Sequence, residues 1–263
     1  MIFASDLDRT LIYSDEFTSA VDVESLLAVE LLEGKEISFM THVAFQLLKE
    51  LSLKCLFIPI TTRTIEQYKR IYALSEWIAP EYAIVSNGGN VLYKGEVDKQ
   101  WQENIAACVS KIDSHFVVES KLTELFSSRP TVSKVVFRDG LFWSIHFHKL
   151  TDEDRAIVSY LEQWSRERGW QTNLQGRKLY VLPYAVDKWN ALAYVKEKTG
   201  ESHIVAAGDG ELDFIFMKNA YKAFCVAHGE IARRIETLPR VHLTKEHGIK
   251  AGEELLREIL LAM

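Results

Sequence analysis

The sequence predicts an α/β protein: a doubly wound, Rossmann-like parallel sheet core that carries an inserted α+β module. Three observations carry that expectation. Short apolar runs at 2–5, 55–60, 82–85 and 203–207 each stop at a polar cluster, as buried parallel strands do where they reach a loop. Helical stretches lie between the earlier runs, which gives the strand, helix, strand rhythm of a parallel sheet. Between about residues 90 and 182 hairpin signals replace that rhythm, and afterwards it resumes.

In chain order, Ile2-Phe3-Ala4-Ser5 is the first run and ends at Asp6-Leu7-Asp8. Residues 27–40 alternate loosely around Glu33-Gly34-Lys35 and read as a hairpin. Thr41 is an N-cap for a helix with the apolar stripe Val43, Leu47, Leu48 and Leu51. The strand at 55–60 ends at Thr61-Thr62-Arg63, and its Pro59 is awkward in the middle of a sheet. A helix carrying Ile65, Tyr68, Ile71 and Leu74 leads to the strand at 82–85, which ends in Ser86-Asn87-Gly88-Gly89. Within the insert, 132–138 and 141–148 flank Asp139-Gly140, and 170–175 and 178–182 flank Gly176-Arg177. Both pairs read as hairpins. A helix over 152–168 puts Ile157, Leu161 and Trp164 on one face. The core resumes with a helix at 187–198, a strand at 203–207 and the loop Gly208-Asp209-Gly210-Glu211-Leu212-Asp213. A strand at 221–227 and a helix at 249–261 close the chain. The division is 1–89 with 183–263 for the core and 90–182 for the insert.

The 263 residues are 48% hydrophobic and 26% charged, which suits a globular protein. The net charge of −6 comes with no block of like charge, which argues against a nucleic acid or a membrane as partner. A small anionic substrate needs only a local positive pocket. Cys55, Cys108 and Cys225 are odd in number, far apart and without a CxxC, so they read as thiols in a reducing compartment. With no basic leader and no apolar run of membrane length, a cytoplasmic protein is expected. Nothing in the sequence points to an oligomeric state.

Four polar positions fall at the ends of the core elements. In Asp6-Leu7-Asp8-Arg9-Thr10, two aspartates two apart follow a strand; one carboxylate can attack phosphorus while the other handles protons. Alone, D-x-D-x-T is a weak motif that also fits a capped turn with solvated aspartates. Thr61 can hydrogen-bond a phosphate oxygen or cap a helix. Lys188 sits in the first turn of a helix, where a cation opposes the helix dipole by ~0.3–1 kcal/mol. A phosphate-facing role explains that placement, although an exposed lysine tolerates it too. Asp209 and Asp213 offer the hard oxygens that suit Mg²⁺, or acids decorating a helix start. Gly208-x-Gly210 lacks the third glycine of a dinucleotide loop, because Asp213 stands there. His146 and His148, two apart on a strand, read as ordinary strand residues ahead of a metal pair.

Taken in order, D-L-D-R-T, Thr61, Lys188 and G-D-G-E-L-D resemble the four motifs of the haloacid dehalogenase superfamily, and the insert resembles its class IIB cap. Ser86-Asn87-Gly88-Gly89 looks like the S-N-G stretch that opens into such a cap. The subgroup is similar to Cof-type, sucrose-phosphate and mannosyl-3-phosphoglycerate phosphatases. The resemblance implies a phosphoric monoester hydrolase in which Asp6 is the nucleophile and Asp8 the general acid and base. It implies Mg²⁺ held by Asp6, the backbone carbonyl of Asp8 and Asp209, with Asp213 binding or positioning it, and a phosphoryl group gripped by Thr61 and Lys188. Arg9 replaces the glycine of D-x-D-G-T, and Thr62 replaces that of T-G-R. Both add bulk at the pocket mouth, and Arg9, Thr62, Arg63, Asn87 and Gly88 are expected beside a small phosphorylated substrate, a sugar phosphate by that likeness. Recognition of the rest of the substrate is expected from Arg138, His146, His148, Arg177 and Lys178 in the insert. A common face for Arg138 and the two histidines is tied to a two-residue turn at Asp139-Gly140. Two alternatives remain at this point: a phosphomutase of the phosphomannomutase type, and a binding or regulatory protein with a vestigial site.

Overall fold

A computed structural model of the chain describes residues 1–237 and 240–263. β1 (Ile2–Ser5) is buried at every residue, as an apolar run inside a sheet must be. β2 (Leu26–Leu32) and β3 (Lys35–Thr41) form the expected hairpin. Its turn is Glu33 at φ 51° and Gly34 at φ 77°, the left-handed pair that a two-residue turn requires. Two register shifts, one on each side of Glu30, interrupt the ladder. Thr41 accepts from the Ala44 N–H at 2.9 Å and so caps α1 (His42–Lys54). The buried stripe of α1 is Ala44, Phe45, Leu48 and Leu51. Val43, expected in it, is 47% exposed, because it is turned about 100° from Ala44 on the helix wheel.

β4 (Leu56–Pro59) pairs in parallel with β1. The Ile60 N–H donates to Ser5 O, so the Pro59 nitrogen points away from β1 and the pairing needs no donor from it. α2 (Ile65–Lys69) ends sooner than expected, and the chain continues into a π-helical turn at Ala73–Ile78; Tyr68, Ile71 and Leu74 are buried. β5 (Tyr82–Val85) lies parallel to the chain leaving β4 through an Ile60–Ile84 bridge. β6 (Asn90–Tyr93) and β7 (Glu96–Val97) then fold back on it.

The next elements are α3 (Lys99–Val109), α4 (His115–Phe126), β8 (Val132–Arg138), β9 (Phe142–Phe147), α5 (Asp152–Arg166), β10 (Trp170–Gln175) and β11 (Lys178–Pro183). The four strands make an antiparallel sheet in the order β10-β11-β9-β8. Val118, Leu122 and Phe126 of α4 and Val158 and Leu161 of α5 join Trp143, Ile145, Leu179 and Val181 in one hydrophobic cluster, with Ile157 and Trp164 at its margin. The turn between β8 and β9 has three residues, since Arg138 pairs with Phe142 and the Leu141 N–H donates to Arg138 O. The two-residue expectation is therefore corrected. The correction also reverses its consequence: directly opposed antiparallel residues share a face, so the pairs Arg138–Phe142 and Lys134–His146 put Arg138 and His146 together. His148 lies just past the strand and donates its N–H to Thr131 O.

α6 (Lys188–Thr199), β12 (Ile204–Gly208), α7 (Phe214–Lys218), β13 (Lys222–Cys225), β14 (Val241–Leu243) and α8 (Ile249–Leu261) complete the chain. The main sheet runs β14-β13-β12-β1-β4 and is parallel throughout. β14 has no counterpart in the sequence reading; three residues give no periodicity to detect. Two compact units result, Met1–Asp98 with Lys188–Met263, and Lys99–Asp187. Residues 90–98, read as part of the insert, belong to the first unit, because β6 and β7 extend the β5 hairpin. No helix among the described residues is long and apolar enough to cross a membrane.

Candidate active site

The first unit brings its motif residues to one edge of the parallel sheet. Asp6 directly follows β1, Asp209 follows β12, Thr61 lies just beyond β4 and Asn87 just beyond β5. These are carboxyl ends of parallel strands, where the backbone leaves the ladder and side chains can converge. Lys188, the first residue of α6, extends to them. Its Nζ bonds Asp6 Oδ1 at 2.8 Å and Asp213 Oδ1 at 2.5 Å, with all three side chains buried. That answers the question its position raised. The cation stands against the helix dipole because two carboxylates hold it there, and each of the buried charges has a partner.

Asp213 Oδ2 accepts from the N–H groups of Asp209 and Gly210, at 3.1 and 2.9 Å, folding the acidic loop into a tight hook. Gly208 is required by that hook: a Cβ on it would lie 2.5 Å from Asp213 Cβ. Carboxylate oxygens of Asp6, Asp209 and Asp213 come within 4.8 Å of one another. Burial and then the Asp213 charge raise Asp6 well above the usual carboxylate range, against the pull of Lys188. The same two causes, burial first, push Asp209 up to about 7. Three clustered acids with one buried ammonium still carry excess negative charge. An all-oxygen donor set of this kind fits Mg²⁺: Asp6 spends only Oδ1 on Lys188, whereas both Asp213 oxygens are committed to Lys188 and the loop, so Asp6 and Asp209 are the carboxylates better able to ligate.

Asp8 is turned elsewhere. Both its oxygens take the guanidinium fork of Arg63, Nε to Oδ2 and Nη2 to Oδ1, each at 2.8 Å. The remaining nitrogen of Arg63, a residue expected beside the substrate, meets Glu30 Oε1 at 2.8 Å. The Thr61 side chain is not a helix cap, because Thr64 caps α2 in a capping box with Gln67. Thr61 is buried and its Oγ1 accepts the Arg63 N–H at 3.1 Å, leaving the hydroxyl proton for another acceptor. The Asn87 and Ser86 N–H groups donate to the carbonyls of Thr61 and Arg63, which ties the two loops together. Thr62 is half-buried beside them, Gly88 follows at φ 92°, and Asn87 Oδ1 is buried without a hydrogen-bond partner among the described residues.

Arg9 has φ 65°, a conformation that favours glycine, which accounts for the glycine of the D-x-D-G-T pattern it departs from. His228 Nε2 lies 2.8 Å from Arg9 O and its Nδ1 accepts the Gly248 N–H, which leaves Nε2 as the protonated nitrogen, donating to Arg9. The Arg9 side chain lies over the Phe17 ring, with Nε 3.6 Å from Asp209 Oδ2. Glu30 and His228 were missed from sequence, and Gly208 was read only as part of the acidic loop. Glu30 had a signal, the one acid in the apolar run Leu26-Leu27-Ala28-Val29-Glu30-Leu31-Leu32. His228 had none, because its role depends on a contact 219 residues away in the chain.

The insert residues lie in the second unit. His146 pairs with Lys178 across β9 and β11 and with Lys134 across β8. Burial first, then the cations Lys178, Arg138 and Lys134, push its imidazole down. Arg138 Nε meets Ser144 Oγ at 3.3 Å. Arg177, at the turn, donates to His148 O.

The family model of sucrose-6F-phosphate phosphohydrolase matches residues 1–251. The chain belongs to that family. It is thus a haloacid dehalogenase-like phosphatase, a phosphoric monoester hydrolase. Similar solved structures include the sucrose-phosphatase of Synechocystis sp. PCC6803 in complex with sucrose and phosphate, at TM-score 0.70 and 13% identity over 99% of this chain and 97% of that one. A trehalose-6-phosphate phosphatase related protein has TM-score 0.61 and 17% identity over 100% and 98% of the two chains. The haloacid dehalogenase-like hydrolase yhjK from Bacillus subtilis has 0.58 and 14% over 98% and 91%. At such identities these likenesses establish the fold, a Rossmann-like core carrying a second α/β module. Among curated proteins no sequence matches this chain.

Proposed function

We propose that this phosphatase hydrolyses a small sugar phosphate through an aspartyl phosphate on Asp6, with Mg²⁺ as its metal. The observation that carries the reading is the buried Asp6–Lys188–Asp213 chain beside Asp209, where four strand ends meet. Lys188 directs Asp6 and pulls its pKa down against the burial and the Asp213 charge that raise it. In the first step an Asp6 oxygen bonds to phosphorus, the bond from phosphorus to the sugar oxygen breaks, and Asp8 gives its proton to that oxygen. In the second, Asp8 takes a proton from water as the water oxygen attacks the phosphorus of the acyl phosphate, releasing phosphate and Asp6. Mg²⁺, held by Asp6 and Asp209, would offset the repulsion between the nucleophile and its dianionic substrate. Thr61, through its free hydroxyl proton, and Lys188 hold the phosphoryl oxygens. Arg9, Thr62, Asn87 and Gly88 line the approach, and Arg138, His146, His148, Arg177 and Lys178 supply recognition of the sugar. The family to which the chain belongs favours a sugar as the leaving group.

Phosphate release from a panel of sugar phosphates, with and without Mg²⁺, tests the reading. Turnover is expected to require the metal, to stop with EDTA and to return when Mg²⁺ is restored. Asp6→Asn is expected to abolish turnover while leaving the thermal transition cooperative. Full activity in metal-free protein, or substantial turnover by Asp6→Asn, would overturn it.

A further inference from the structure

We infer that His228 is a positioning residue for Asp209, acting from the turn that follows β13 and through the arginine it holds. The inference rests on the proposed role of Asp209 as a metal ligand and adds a residue outside every motif. Asp6 and Asp209 follow the neighbouring strands β1 and β12. The ladder between those strands ends with the Asp6 N–H donating to Ala207 O at 2.9 Å. Past that bond the spacing of the two carboxylates has to be set by other contacts. Lys188 and Asp213 hold the cluster from within. The turn at residues 226–229 holds it from outside. β12 lies between β13 and β1 in the sheet, so the His228 side chain spans one strand end to reach the loop after β1.

Both ring nitrogens and the carbonyl of His228 are engaged. Nε2 donates to Arg9 O at 2.8 Å, Nδ1 accepts the Gly248 N–H at 3.2 Å, and the carbonyl accepts from Arg9 Nη2 at 3.3 Å. The ring packs against Tyr13 and Phe17, with centroids 5.9 and 6.0 Å away. Arg9 is thus held by backbone and side chain at once. It needs both, because arginine at φ 65° is in a conformation that glycine adopts far more readily. Held this way, its Nε stands 3.6 Å from Asp209 Oδ2 and has no hydrogen-bond partner among the described residues. That distance makes an ion pair and not a hydrogen bond, so charge steers Asp209 while its lone pairs stay available to a cation. The following residues act on Asp209 directly. Gly229 packs so close that a Cβ would lie 2.8 Å from Asp209 O and 2.9 Å from Asp209 Cα, and the Ile231 N–H donates to Asp209 O at 3.2 Å. The turn is itself anchored on its far side, where the Ala227 N–H donates to the buried Thr244 Oγ1 at 2.9 Å. Backbone and carboxylate of Asp209 are restrained together. Mg²⁺ demands near-ideal octahedral geometry, so its affinity depends on such restraint of a ligand.

The metal provides the readout. The Mg²⁺ dissociation constant is measured without substrate, from the rise in Tm across a Mg²⁺ titration, beside the Tm of the metal-free protein. His228→Ala removes the donor to Arg9 O and is expected to weaken Mg²⁺ binding by about tenfold or more, the usual scale for losing a group that orients a ligand. His228→Gln carries an amide N–H of similar reach and is expected to stay within about threefold of wild type. His228→Phe keeps the ring between Tyr13 and Phe17 but loses both nitrogens, and it stands in if His228→Ala does not fold. Gly229→Ala must displace Asp209 and is expected to weaken Mg²⁺ at least as much as His228→Ala. At saturating Mg²⁺, kcat of His228→Ala on the best sugar phosphate should return to within about threefold of wild type, since the deficit lies in holding the metal. A His228→Ala or His228→Phe protein that melts lower yet binds Mg²⁺ as wild type does would reduce His228 to a packing contact and overturn the inference. So would a His228→Gln protein as weak as His228→Ala, or a Gly229→Ala protein with unchanged affinity. Failure of the underlying reading looks different. If Asp209→Asn binds Mg²⁺ as tightly as wild type, Asp209 is not a ligand and the reading falls, taking the inference with it. If Asp209→Asn is weakened while the His228 variants are not, only the inference falls.

Discussion

At the scale of single residues the site is a problem of excess negative charge solved by placement. Asp209 shows how finely it is balanced. Burial and Asp213 raise its pKa from 3.8 to about 7 in the metal-free protein. A carboxylic acid raised on folding holds its proton more tightly when folded, so the metal-free protein loses stability as pH climbs from 3.8 to about 7 and loses no more from this group above that. The proposed Mg²⁺ would bind only the ionised form, so protons would compete with it below about 7. The rise in Tm produced by saturating Mg²⁺ is therefore expected to be larger at pH 8 than at pH 5.5, measured by thermal melts with and without the metal at each pH. An equal rise at both would mean that Asp209 is not a ligand. The residues proposed to react were legible in sequence, since Asp6, Asp8, Thr61, Lys188, Asp209 and Asp213 each stand where an element begins or ends. Their partners were not. Arg63 pairs with Asp8 and Glu30, 55 and 33 positions away, and no local pattern records such a contact.

At the scale of elements, strands and helices were legible where apolar periodicity was long enough to read, and not where backbone geometry decided. The closing helix α8 (Ile249–Leu261) and the hairpin β10–β11 were read within a residue or so. The β8–β9 turn was read one residue short, because Asp139 at φ 48° and Gly140 at φ 67° suit a two-residue turn as well, and only the ladder shows Leu141 outside the strand. The helix after Thr64 was read as continuous, whereas it breaks into a π-helical turn, a change that leaves its apolar residues buried. Gly208 is the element-scale feature with the sharpest consequence. It ends β12 and passes so close to Asp213 that Gly208→Ala must displace that carboxylate from Lys188 and from the loop N–H groups. Such overpacking is expected to cost about 1–3 kcal/mol of stability. Activity should fall by tenfold or more, about 1.4 kcal/mol in the barrier, because Lys188 loses one of its two anchors. Unfolding curves together with steady-state assays would check both, and wild-type kinetics in a stable Gly208→Ala protein would refute the role given to the hook.

At the scale of the whole molecule, the chain leaves the first unit after Asp98 and returns at Lys188, the residue that holds Asp6. Asp98 also binds Tyr194 and Lys198 of α6, so the point of departure is tied to the helix that begins at the point of return. The first unit contains the groups proposed for phosphoryl transfer, and their chemistry is indifferent to what the phosphate is attached to. Discrimination among phosphorylated sugars is proposed for the second unit, the part of the chain whose residues are not bound up in the phosphate site. Its sheet carries Lys134, Arg138, His146 and Lys178 as neighbouring cations or hydrogen-bonding groups on paired strands, a set suited to a polyhydroxylated or anionic ligand. Alanine at Arg138, His146 or Lys178 is expected to lower kcat/KM for the best sugar phosphate by about tenfold, the loss of one good hydrogen bond to a charged group, while p-nitrophenyl phosphate is little affected. Arg177 donates to the His148 carbonyl at a turn, and alanine there should act more weakly, through the turn. Kinetics of the four variants on both substrates would decide the matter. Parallel losses on the two would show that the second unit shapes the phosphate site as a whole and takes no part in choosing the sugar.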